Sequence, residues 1–107
     1  MRLDPQDRIK LAVRTEAPVT PEMLARFQDP KTIRILHAVI GLVTESGELM
    51  DALKKHLFYG KPLDELNLKE EMGDQDWYLN LLCNVLGTTM ELVEVANVKK
   101  LAARYGD

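Results

Sequence analysis

The chain has 107 residues, 46% apolar and 29% charged, with a formal net charge of −3. That is enough for one domain spanning 1–107 with a modest core, and it lacks the basic stripe of a general nucleic-acid binder. A lone cysteine, Cys83, excludes an intrachain disulfide and reads as a small packed residue. No apolar run approaches the ~20 residues of a membrane span and none resembles a signal peptide, so a cytoplasmic protein is expected.

The punctuation predicts helices in order. "PQDRIKLAVR" (5–14) reads as a short amphipathic helix, and "PEMLARF" as a brief one after Thr20-Pro21. Pro30 reads as a break. A long helix is expected from about Thr32 to Tyr59, stopped by Gly60-Lys61-Pro62. The next is expected from Asp64 or Asn67 to about Leu86, closed by Gly87. The last would be capped by Thr88 or Thr89 and reach about Tyr105. No period-2 alternation or hairpin signal suggests strands. The expected class is all-α, a bundle of three to four main helices with short loops.

Three polar sets stand out. "ESGE" places Glu45 and Glu48 at i, i+3 on one side of the long helix, beside the small residues Ala38, Gly41 and Ala52. These small residues leave room for a ligand or a closely packed helix, while the apolar arc of that helix, Leu36, Val39, Ile40, Val43, Met50, Leu53 and Leu57, is broad enough to favour self-association. "EEMGD" repeats the i, i+3 acid pair with Glu71 and Asp74. At about 100° per residue, both fall inside the arc of Leu68, Met72, Leu79, Leu82 and Leu86, near Tyr78 and Val85. Asp76 falls on the polar side with Asn80, and Gln75 on the side of Glu71. On the last helix Asn97, Lys100 and Arg104 share one side.

An unpaired carboxylate aimed at a core is costly unless it meets a cation or protonates. Four carboxylates converging from two helices suit a hard divalent cation, Mg²⁺ or Mn²⁺. The structural alternative is a salt bridge from Glu71 and Asp74 to a cation of the last helix. Taken singly, "ESGE" also reads as a solvated face and "KKLAAR" as a helix end that suits its dipole. Lys55, two turns after Glu48 on the same side, is a phosphate candidate by geometry, with a solvated lysine as the alternative. Trp77 and Tyr78 read as core, base stacking being the other use. Neither His37 nor His56 stands three residues after a Glu, as a di-iron bundle requires, and there is no Cys-x-x-Cys or Walker loop.

"GLVTESGELMDALKKHLFYGK", "EEMGDQDWYLNLL" and "ANVKKLAARYGD" together resemble the MazG-like all-α nucleoside triphosphate pyrophosphohydrolases. The family's E-x-x-E…E-x-x-D signature falls on Glu45, Glu48, Glu71 and Asp74. Its N-x-x-K-L-x-x-R-Y pattern falls on Asn97, Lys100, Leu101, Arg104 and Tyr105. The similarity covers about residues 32–107, and "DRIKLAVRT" looks like the family's first helix. Gln75 and Asp76 depart from it, since relatives carry apolar residues there.

The resemblance implies Mg²⁺-dependent cleavage of a nucleoside triphosphate to monophosphate and pyrophosphate, in keeping the nucleotide pool clean. Glu45, Glu48, Glu71 and Asp74 would hold the metal, and one of the first pair, Glu45 or Glu48, would act on water. Asn97, Lys100 and Arg104 would bind substrate. It further implies a homodimer or homotetramer, with self-association completing the bundle. A non-catalytic helical module that binds a nucleotide or a partner is the alternative reading.

Overall fold

The computed structural model describes residues 4–106, which hold five helices and no strand. They are α1 (Pro5–Arg14), α2 (Pro21–Phe27), α3 (Pro30–Tyr59), α4 (Glu65–Leu86) and α5 (Met90–Tyr105). Each starts at a side-chain cap that satisfies a first-turn N–H left without a helical partner. Thr20 accepts from Met23 N at 3.1 Å, Asp64 from Asn67 N at 3.0 Å and Thr89 from Leu92 N at 3.3 Å.

Pro30 does not break the chain but opens α3. Asp29 caps the helix, accepting from Thr32 N at 2.9 Å and from its hydroxyl at 2.8 Å. Proline suits the first helical position because the N–H it lacks would have had no partner there. Gly60 (φ 67°) and Gly87 (φ 68°) end α3 and α4 in the left-handed conformation, which glycine adopts without a Cβ penalty.

α3 and α4 form an antiparallel hairpin, with Arg34 bonded to Asn84 at one end and Ser46 to Gln75 at the middle. The buried or half-buried residues recur at spacings of three and four. Among them, one row runs through Ile35, Ala38, Leu42, Glu45, Leu49 and Ala52 on α3, with Gly41 beside it, and another through Leu68, Glu71, Gln75, Tyr78, Leu82 and Val85 on α4. This is the pattern of helices crossing at a shallow angle. Gly41 permits the approach. A Cβ there would stand 2.4 Å from the Tyr78 ring.

The face of α3 that meets α4 is therefore the one that carries Glu45 and the small residues, the side expected to leave room for a closely packed helix. Leu36, Val39, Ile40, Val43, Met50, Leu53 and Leu57 point away from α4 and remain 40–66% exposed in the single chain. Met72 and Leu86 are also outside the hairpin seam, and Trp77, expected in the core, is 76% exposed. Cys83 is buried as expected.

α5 turns away from α4 by 92° and touches it only near their junction, without packing on α3. α2 leans on the start of α3, and α1 packs against no other helix. The radius of gyration is 20.4 Å, against roughly 13 Å for a compact chain of this length. The all-α class holds, but one chain closes only a two-helix hairpin, not a bundle. Among the described residues, no single helix is long and apolar enough to cross a membrane.

Candidate metal centre

The seam of the hairpin brings Glu45 of α3 against Glu71 and Asp74 of α4, with a carboxylate oxygen from each lying within 4.8 Å of the other two. The heptad-like spacing does this. Glu45 follows Gly41 by one turn, and Asp74 precedes Tyr78 by one turn, so the Gly41–Tyr78 contact sets the height at which the acids meet. His37, one turn before Gly41 on α3, lies 6.3 Å from the same ring between centroids.

Glu71 sits deepest. The residue is half-buried, and its Oε2 is shut off from solvent without a hydrogen-bond partner. Two ionised carboxylates are acceptors only, so Glu71 and Glu45 can bond each other only when one holds a proton. The bond that a proton on Glu71 would make to Glu45 is the chief reason the Glu71 carboxyl is pushed up to about 7. Its desolvation adds to this, followed by the charges of Glu45, Asp74 and Glu48.

No lysine or arginine pairs with Glu71 or Asp74 among the described residues, where the one ion pair is Lys55–Asp51 at 2.7 Å. The salt-bridge alternative for these acids thus finds no support within the chain. The donor set fits a divalent cation: three carboxylates, all hard oxygen ligands, one of them carrying an orphaned buried oxygen. Two oxygens on a Mg²⁺ ion stand at most ~4.2 Å apart, so small side-chain rotations would close the set.

Glu48 stands outside the three-acid cluster, one turn along α3, yet near enough for its charge to act on Glu71. It lines a polar cavity at the α3–α4 corner together with Lys55. Lys55 is exposed and bonded to Asp51, which raises the lysine's pKa, aided by the nearby charge of Glu48.

Asn97, Lys100 and Arg104 lie exposed on α5. Because α5 does not pack on α3, the single chain does not bring them to the acids. Gln75 faces the seam as expected, but it bonds no carboxylate. Its Nε2 donates to Ser46 Oγ at 3.0 Å, tying together the residues that follow Asp74 and Glu45. Asp76 faces water and meets Asn80 at 3.2 Å.

Lys61 and Asn67 at the same corner escaped the sequence reading. The signal was present in "YGKP", but the Gly and Pro there read as a helix stop and drew attention from the lysine between them.

The chain matches no curated protein and no solved structure. The family described as MazG nucleotide pyrophosphohydrolase domain matches residues 35–107, a stretch holding all four acids and the whole of α5. With the acid seam of α3 and α4, this places the chain in the MazG nucleotide pyrophosphohydrolase family.

Proposed function

We infer that the protein is a divalent-metal-dependent pyrophosphohydrolase that cleaves a (deoxy)nucleoside triphosphate to the monophosphate and pyrophosphate, serving nucleotide-pool house-cleaning. The observation that carries this reading is the buried, unpartnered Oε2 of Glu71 facing Glu45 and Asp74 in a chain of this family. Such an arrangement is unfavourable for its own sake and is relieved by a cation. Mg²⁺, with Mn²⁺ as its substitute, would supply charge neutralisation of the phosphates at that point.

Glu45, Glu71 and Asp74 are the residues that would hold the metal, with Glu48 completing the set from the next turn. In the reaction a water oxygen adds to phosphorus, the anhydride link between the α and β phosphates breaks, and pyrophosphate departs. The proton released by water passes to a carboxylate, for which Glu45 and Glu48 are the candidates. Glu45 is half-buried beside Glu71, and Glu48 stands at the mouth of the corner cavity.

Lys55 at the corner and Asn97, Lys100 and Arg104 on α5 would meet the substrate. The α5 residues would do so from a second copy of the chain. Homodimer or homotetramer formation is supported by the uncovered apolar arc of α3, whose extent exceeds what a monomer ordinarily leaves in water. We place the protein in the cytoplasm, acting on neither nucleic acid nor membrane.

The test is a pyrophosphate-release screen over canonical and damaged (deoxy)nucleoside triphosphates with Mg²⁺ and Mn²⁺. Turnover of at least one, abolished by chelation, is expected. Absence of turnover on all of them would replace the enzyme by a nucleotide- or partner-binding module.

A further inference from the structure

A polar cavity of about 380 Å³ opens between the last turns of α3 and the first turn of α4, walled by Glu48, Asp51, Lys55, Lys61, Asp64 and Asn67. Its size lies within the ~300–1,000 Å³ usual for small-molecule sites. It joins the acid cluster on both sides. Glu48 is one turn from Glu45, and Asn67 is one turn, about 6 Å, before Glu71.

The corner is fixed in a way that aims Lys61. Its N–H donates to Lys55 O at 3.1 Å, closing α3 around Gly60. Its carbonyl accepts from His56 Nδ1 at 2.8 Å. Pro62 then locks the next backbone angle. A turn lysine held at its N–H, its carbonyl and its following residue has a set Cα position, while its ammonium is used by no ion pair among the described residues. Opposite it, Asp51 steadies the Lys55 ammonium at 2.7 Å. Asp64 caps α4 through a backbone N–H, which leaves its charge in place, so Lys61, Glu48 and Asp64 are the charges the cavity presents without an ion-pair partner among the described residues. The Asn67 side chain, half-buried on the same wall, makes no hydrogen bond within the described residues.

The geometry points to this corner cavity as the pyrophosphate subsite of the metal centre. Lys61 and Lys55 hold the departing phosphates, and Asn67 donates to them. The inference rests on the pyrophosphohydrolase reading and adds the ligand class and residues of the corner. The anion arrives as its divalent-cation complex, because Glu48 would repel a bare polyphosphate. On α3, Lys55 stands seven residues, about 10 Å, beyond Glu48, the direction in which linked phosphates would run from the cation. Lys55 and Lys61 are the lysines that line this cavity, while the cations of α5 lie away from α3.

The experiment titrates magnesium pyrophosphate into the full chain and into Lys61→Met, Lys55→Met and Lys61→Arg, with Mg²⁺ binding and nucleotide hydrolysis measured separately. Lys61→Met keeps every backbone contact of the turn, and circular dichroism checks its helicity. Pyrophosphate affinity should fall tenfold or more in Lys61→Met and be largely restored in Lys61→Arg. Mg²⁺ affinity without pyrophosphate should change less than twofold. Substrate KM should rise more than kcat falls, separating the nucleotide tail from free pyrophosphate as the occupant.

Unchanged pyrophosphate affinity in Lys61→Met, in a chain that hydrolyses nucleotides, overturns the subsite and leaves the enzyme reading standing. Lys61-dependent binding without hydrolysis of any nucleotide keeps the subsite and removes the enzyme reading. A wild-type chain that binds no magnesium pyrophosphate overturns the subsite outright.

Discussion

On one side of α3, Ala38, Gly41, Glu45 and Ala52 lie in the seam with α4, beside Ile35, Leu42 and Leu49; on the other, Ile40, Val43, Met50 and Leu57 stay exposed, and Leu36 shares a pocket with Phe27 of α2. Small residues set the closest approach, and the broad apolar arc is left uncovered. Close approach explains the first face. Without a side chain at Gly41, the Tyr78 ring can settle on the α3 backbone, and carboxylates from two helices then fall within reach of one another. The second face has ample apolar area and no covering surface within the chain. The first face thus assembles the acids, and the second is the one that the proposed self-association would cover.

The largest expected effect strikes the first face. Asp74→Ala removes a ligand from the acid cluster while leaving the apolar arc untouched. Hydrolysis should drop by more than ~100-fold with helicity unchanged by circular dichroism. Activity within a few-fold of wild type would take Asp74 out of the site.

Next comes the second face. Val43 is 66% exposed in the chain, and Val43→Glu places a charge where a second copy would have to pack. Burying a valine is worth about 1.5–3 kcal/mol, so the association constant should fall by roughly tenfold or more per contact, read by sedimentation. A wild-type chain that sediments as a monomer at all concentrations would leave the arc without a purpose in this account.

A smaller effect, confined to stability, tests why the small face packs. Gly41→Val drives side-chain atoms into the Tyr78 ring. Overpacking of this kind costs about 1–3 kcal/mol, measurable by urea unfolding, and cation affinity should fall with it because the acids lose their register. Wild-type stability in that variant would mean the ring does not rest on Gly41.

The smallest effect is a slope. Glu71 is raised from 4.5 to about 7 in the folded, metal-free chain. The folded state thus holds this proton more tightly than the unfolded one. The stability it confers is complete below about 4.5, declines as pH rises and is lost beyond about 7. The stability difference between wild type and Glu71→Gln should therefore shift against wild type from pH 5 to pH 8, as calorimetry without metal would show. A difference independent of pH would mean Glu71 titrates normally.

Much of this fold is written locally. Thr20, Asp64 and Thr89 as caps and Gly60 and Gly87 as stops are short-range chemistry, and the helix ends fall within about two residues of where those residues place them. Pro30 shows the weakness of reading one residue alone, because Asp29 before it turns a breaker into a first-turn residue. The acid constellation was legible because the spacing at 45, 71 and 74 conflicts with simple burial, and the structure resolves that conflict by facing them to each other.

The side of α3 that takes α4 was legible in Ala38, Gly41 and Ala52, but its consequence for the bulky residues was not. The α3–α4 contact is decided by how closely backbones approach at Ala38 and Gly41, not by apolar bulk. For the same reason Trp77, apolar by composition, ended outside the hairpin. Lys61 was hidden because its neighbours explain the turn completely without it.

The most direct test of the central claim, that Glu45, Glu71 and Asp74 form a divalent-cation site, is calorimetric titration of Mn²⁺ into the wild-type chain and into Glu71→Gln at pH 8. The account predicts saturable binding and a raised melting temperature in the wild type, and at least tenfold weaker binding in the variant. Equal affinity in both chains, or no binding to either, would contradict it.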